Sequence, residues 1–133
     1  MPARFGRAPF NVSGEDWRII TAMRANALIV GPEPLSSEFV EALLPALRAP
    51  VAKWTNSCPE PADPCGTLLL QDPHQLDLAD QQRLDEWLSR GHQTQVVTVV
   101  PASLFPLVEQ GRFLVSLYYR LNVVHLAFEP PGG

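Results

Sequence analysis

Apolar residues along the chain fall into two alternating patterns, stretches spaced three and four apart and short unbroken blocks. From Ser13 to Arg24 the spacing of Trp17, Ile20 and Met23 predicts a helix with these three on one face. Ser13 suits its N-cap, and Glu15 and Asp16 suit its first turn. Ala27-Leu28-Ile29-Val30-Gly31 is an unbroken apolar run closed by Gly31-Pro32, the pattern of a buried parallel strand. A second helix is expected with Ser36 or Ser37 as its cap and Phe39, Val40, Leu43, Leu44 and Leu47 turned inward. Pro45 should kink it or fray its last turn.

Val51 to Thr55 reads as an edge strand at best, because Pro50 precedes it and Lys53 interrupts it. Its place in the sheet stays open. Asn56 to Cys65 is a Pro-rich loop. Thr67 to Gln71 and Gln95 to Val100 predict two more buried strands. Between them Asp77 caps a helix from Leu78 to Arg90, with Leu84, Trp87 and Leu88 inward and Gly91 as its stop. Ser103 opens a helix to Gln110 that tolerates Pro106 in its first turn. A further helix covers Phe113 to Leu121, and Val123 to Phe128 is the last strand. Strands alternating with helices imply an α/β three-layer sandwich around a mostly parallel sheet of about five strands.

Composition narrows this little. At 133 residues, 46% hydrophobic and 18% charged, the chain suits one folded domain. The expected division is an N-terminal arm over 1–12, an α/β domain over 13–129 and a disordered tail over 130–133. A formal charge of -4 argues against direct nucleic acid binding. No run approaches the roughly eighteen apolar residues that span a bilayer, and no apolar stretch follows Arg4 and Arg7, so no membrane association and a cytoplasmic location are expected. Cys58 and Cys65 read as ordinary thiols. His74, His92 and His125 are scattered without ligand spacing, so no metal site is expected.

Two segments carry a more specific signal. Gly66-Thr67-Leu68-Leu69-Leu70-Gln71-Asp72, continuing through Leu76 and Leu78 to Gln81, resembles the G-T-L-F-L-D-E-I-x-x-L-x-L-x-x-Q pattern of sigma-54-activator AAA+ domains. Glu109 to Val123, with Leu117-Tyr118-Tyr119-Arg120-Leu121-Asn122-Val123, resembles the later E-x-G-x-F-R-x-D-L-Y-Y-R-L-N-V segment. The resemblance covers about residues 13 to 131, with Ala27 to Gly31 at the family's first strand. It implies a P-loop NTPase core, bacterial transcription regulation and a nucleotide site.

The chemistry of that site is depleted. A phosphate loop needs glycines whose N–H groups wrap the phosphates, a Lys, and a Ser or Thr for Mg²⁺. Here the stretch reads Gly31-Pro32-Glu33-Pro34-Leu35-Ser36-Ser37-Glu38, with Ser37 at the Lys position and two prolines without N–H groups. The metal-binding Asp and water-orienting Glu are matched by Gln71 and Asp72, and the polar sensor by Val100-Pro101. Asp72 suits either a metal or plain solvation. Of two arginines near a neighbouring subunit's γ-phosphate, the first is matched by Leu114 and the second by Arg120, which suits either a subunit interface or packing over Tyr119.

The family's sigma-contacting insertion would fall where Asn56 to Cys65 stand, without its motif, and its helical lid would begin beyond Pro130-Pro131. The lid is therefore expected to be absent. The expectation is a degenerate P-loop and a pseudo-ATPase: a non-catalytic interaction or regulatory module without cofactor, hydrolysis or sigma-factor remodelling. A protein partner would be a second copy or an active AAA+ relative. The alternative is a domain sensing a nucleotide or small ligand without cleaving it.

Overall fold

A computed structural model describes residues 12–54, 66–90 and 94–128. The expected arm up to residue 11, the Asn56 to Cys65 loop with both cysteines, Gly91, His92 and the tail lie outside these residues; Val12, expected in the arm, is instead buried in the core. Within them the chain runs α1 (Gly14–Thr21), β1 (Ala27–Val30), α2 (Glu33–Leu43), β2 (Val51–Trp54), β3 (Thr67–Gln71), α3 (Leu78–Ser89), β4 (Gln95–Val100), α4 (Phe105–Glu109), α5 (Val115–Leu121) and β5 (Val124–Ala127). All strand pairs are parallel, in the order β2-β3-β4-β1-β5.

The apolar blocks become central strands because helices cover both faces of the sheet, and alternate side chains feed two cores. Leu28, Leu68, Leu70, Val96 and Val100 pack with Leu84 and Trp87 of α3 and Leu117 and Leu121 of α5. Ala27, Ile29, Leu69 and Val97 face the other way, onto Ile20 of α1 and Phe39 and Leu43 of α2. The three-layer sandwich is as expected. β2 belongs to it: Val51 aligns with Thr67 and Lys53 with Leu69. The junction is held by Thr67 Oγ1, which donates to Arg48 O at 2.8 Å. A Cβ on Gly66 would lie 2.6 Å from Arg48 O and 2.7 Å from Ala49 O, so only glycine admits this backbone approach.

Several element ends differ from expectation, each for a local reason. Ser13 caps α1 by accepting from Asp16 N at 3.0 Å, but the helix closes at Thr21. Arg24 then turns left-handed at φ 59°, and Met23 swings out to 64% exposure rather than joining Ile20. α2 begins at Glu33 with Pro32 as N-cap, not at Ser36 or Ser37, because Pro34 is tolerated in a first helical turn. Pro45 acts as expected, tightening residues Leu44–Ala46 into a 3₁₀ turn. Asp77 caps α3, accepting from Asp80 N at 2.8 Å.

α4 starts at Phe105, whose N–H donates to Ser103 Oγ at 3.2 Å. α5 starts at Val115 rather than Phe113, because the Leu114 N–H is held by a side chain of α3.

Candidate functional site

The C-terminal ends of β1, β3 and β4 open into a crevice of about 320 Å³ beside α2. β1 leads across the sheet to β2 at one edge, whereas β4 leads to β5 at the other, so β1 and β4 flank the switch point where ligands of open parallel sheets collect. The five positions matched to the family's nucleotide site, Gly31, Ser36, Ser37, Gln71 and Asp72, all line this crevice, as do Val100 and Pro101. Sequence spacing and fold therefore agree on the place.

The groups offered there are unlike a phosphate cradle. Only Gly31 and Pro32 separate β1 from α2, so the helix starts directly over the strand. The Gly31 N–H donates to Val100 O at 3.0 Å, extending the sheet. The Leu35 and Ser36 N–H groups both return to Pro32 O at 3.1 Å, and Pro32 and Pro34 have none. Gly31 has a reason of its own: a Cβ there would stand 2.8 Å from Phe128 O. Ser36 is 1% exposed, and its hydroxyl points back at Pro32 O and Glu33 O, both at 3.3 Å. Ser37 is exposed.

Across the crevice, Gln71 is exposed at the end of β3. Asp72 takes a left-handed conformation, φ 54° and ψ 51°, which a short polar side chain tolerates. Its N–H donates to Val99 O and its C=O accepts from Gln75 N, each at 3.0 Å, so the backbone is fixed while its carboxylate makes no capping bond.

Sequence reasoning missed two charged lining residues, Glu41 and Lys53. Glu41 lies two helical turns beyond Glu33 on the same face of α2, a spacing visible in the sequence. Lys53 reaches the crevice only because β2 pairs with β3, which the sequence left open. Among the described residues the charged lining is then Glu33, Glu41 and Asp72 against Lys53.

Arg120 does not line the crevice. It lies on α5, on the opposite face of the sheet from α2, and its Nε donates to Asp85 Oδ1 of α3 at 2.9 Å. Ser116 Oγ donates to the other oxygen of Asp85 at 2.6 Å. Arg120 is thus bound by a carboxylate of its own chain, and Tyr119 beside it is 64% exposed. The buried Gln81 forms the second tie: Nε2 donates to Leu76 O at 3.0 Å and Arg112 O at 3.1 Å, while Oε1 accepts from Leu114 N at 2.9 Å. Gln81 belongs to the first matched motif, and Arg112 and Leu114 to the second. The two segments that carry the resemblance are therefore bonded to each other, through contacts that pack α3 against α5. Among the described residues no group of three metal-ligating side chains occurs, and no helix is long and apolar enough to cross a membrane.

The five-stranded parallel sheet and its helices have the α/β fold of a P-loop NTPase core. The chain resembles the core of a sigma-54-activator AAA+ domain in its fold. NtrX from Brucella abortus in complex with ADP superposes with a TM-score of 0.68 at 17% identity, over 86% of this chain and 34% of that one. The P-loop NTPase domain of the sigma-54 transport activator from E. coli gives 0.59 at 18% identity, over 86% of this chain and 92% of that one. In sequence, the regulatory protein AtoC of Escherichia coli K12 is 34% identical over 77 residues, spanning 49% of this chain and 17% of AtoC. The chain thus spans about a third of NtrX and a sixth of AtoC. No family model matches the chain.

Proposed function

We propose that the chain is a non-catalytic AAA+-like interaction or regulatory module of bacterial transcription control, which neither hydrolyses ATP nor remodels a sigma factor. The observation that carries this is the two-residue link from β1 into α2, which puts a proline-rich helical turn and Glu33 where phosphates would need free N–H groups and a cation. Gln71 in place of a metal-binding Asp supports the same reading. The retained packing of α3 against α5 supports a role in which the scaffold, not the crevice, meets a protein partner: a second copy or an active AAA+ relative, in the cytoplasm.

The test is association. Light scattering after size exclusion, with capture experiments against active sigma-54-activator AAA+ domains, should show self-association or a captured relative. A strict monomer that captures none would end the interaction reading.

The crevice itself favours a second reading, a domain that senses a nucleotide or small ligand without hydrolysis. A concavity of this size at a switch point is the common place for a small-molecule site. Calorimetry with ATP, ADP and Mg²⁺ tests its nucleotide form, in which binding would appear without phosphate release.

A further inference from the structure

We propose that β5 pairs edge to edge with β5 of a second copy, antiparallel, joining the two five-stranded sheets into one. This rests on the interaction reading above and names its surface. β5 is the last strand of the sheet, beside β1. The Val124 N–H donates to Asn26 O at 3.0 Å and the Phe128 N–H to Val30 O at 2.8 Å, so the even-numbered residues turn their backbone groups toward β1. By the alternation of a strand, His125 and Ala127 turn theirs outward, where among the described residues nothing donates or accepts. Both side chains are exposed on the face opposite buried Val124 and Leu126, so no described helix covers this edge.

The two edges of the sheet differ. β2, at the other end, has Pro50 before it and Lys53 within it, and both blunt an edge against pairing. Val123 to Phe128 contain no proline and no Asp, Glu, Lys or Arg, and β5 keeps an unbroken register with β1 from Val124 to Ala127. Val123, 60% exposed, gives the edge an apolar border. The occupant that this edge fits is another β5. Its outward N–H and C=O groups, on His125 and Ala127, are symmetric about Leu126. A two-fold axis through that residue, normal to the sheet, sets His125 against Ala127 of the second copy and the reverse. Each such pair exchanges two hydrogen bonds, which leaves no outward group of either residue unmatched. No like charges oppose one another, and the larger His125 meets the small Ala127. β5 is already held extended by β1, so meeting a second β5 orders less chain than capturing a loose peptide would. With only four residues in each strand, the contact is weak and reversible.

Sedimentation velocity on the full chain from about 10 to 500 µM, with amide hydrogen exchange by NMR at both ends of that range, tests the pairing. Dimer should accumulate with concentration, and the His125 and Ala127 amides should exchange about tenfold slower in the concentrated sample. The Val124 and Phe128 amides, bonded toward β1, should be slow in both. Ala127→Pro removes an outward N–H and leaves the β1 ladder intact, so it should raise the dimer dissociation constant about tenfold or more. Retained protection of Val124 verifies that β5 stays in the sheet of this variant. His125→Lys alters only an exposed side chain and should weaken the dimer about threefold or more. A dimer whose His125 and Ala127 amides stay unprotected, or that both variants leave unchanged, overturns the β5 pairing and leaves the interaction reading standing. So does a monomer that captures an active AAA+ relative, whether or not these two amides become protected by it. A monomer across the range that captures no relative overturns both.

Discussion

Three residues, Gln81, Thr98 and Gly66, show how local contacts set stability. Gln81 is fully buried and meets two carbonyls and one N–H. Gln81→Leu would leave the Leu76 carbonyl buried without this partner and remove two part-buried bonds, to Arg112 O and Leu114 N, and should cost about 2–4 kcal/mol in urea denaturation. Thr98 is the opposite case: it is fully buried on β4, and its hydroxyl has no partner among the described residues. Thr98→Val keeps the shape and removes the unsatisfied oxygen, so it should be neutral or stabilise by about 1 kcal/mol. Gly66→Ala should destabilise by roughly 1–3 kcal/mol, because its Cβ would press on backbone oxygens that cannot move independently. Thermal melts rank the three variants. A destabilised Thr98→Val would mean that its hydroxyl has a partner after all.

At the element scale, the strands buried on both faces were plain from sequence, and β3 and β4 fall on Thr67–Gln71 and Gln95–Val100 as expected. Such strands need an unbroken apolar run, and no local alternative competes with it. The caps at Ser13 and Asp77 and the break at Pro45 were equally plain, because each is a one-residue effect. The start of α2 was not. Serines at 36 and 37 look like caps, whereas the helix begins on prolines that satisfy its first turn by lacking N–H groups. The place of β2 depended on pairing with a distant strand, so neither it nor Lys53 in the crevice was legible.

If the phosphate loop has become a helical turn, restoring one residue is not enough, and Ser37→Lys should leave Mg²⁺-ATP binding undetectable by calorimetry. The Asp85–Arg120 pair is a second element-level device, joining α3 to α5. Both side chains are partly exposed, so a double-mutant cycle should give a coupling of about 1 kcal/mol or less.

For the whole molecule, one sheet supports two faces with different fates. On the α3–α5 face the matched motifs interlock, which accounts for a recognisable sequence there. On the α2 side the crevice sits at the switch point, and its charged lining among the described residues is Glu33, Glu41, Asp72 and Lys53. Position was legible, because it follows from strand order and spacing. The composition of the crevice was legible only in part, since Glu41 and Lys53 join it through tertiary packing.

The proposed absence of ATP turnover on this fold is decided by phosphate release from Mg²⁺-ATP. The assay should run across a range of protein concentrations, to allow for assembly, beside an Asp72→Asn variant. Release should stay at the level of the protein-free blank at every concentration, unchanged in the variant. Release above the blank that rises with protein and is lost in Asp72→Asn would contradict it.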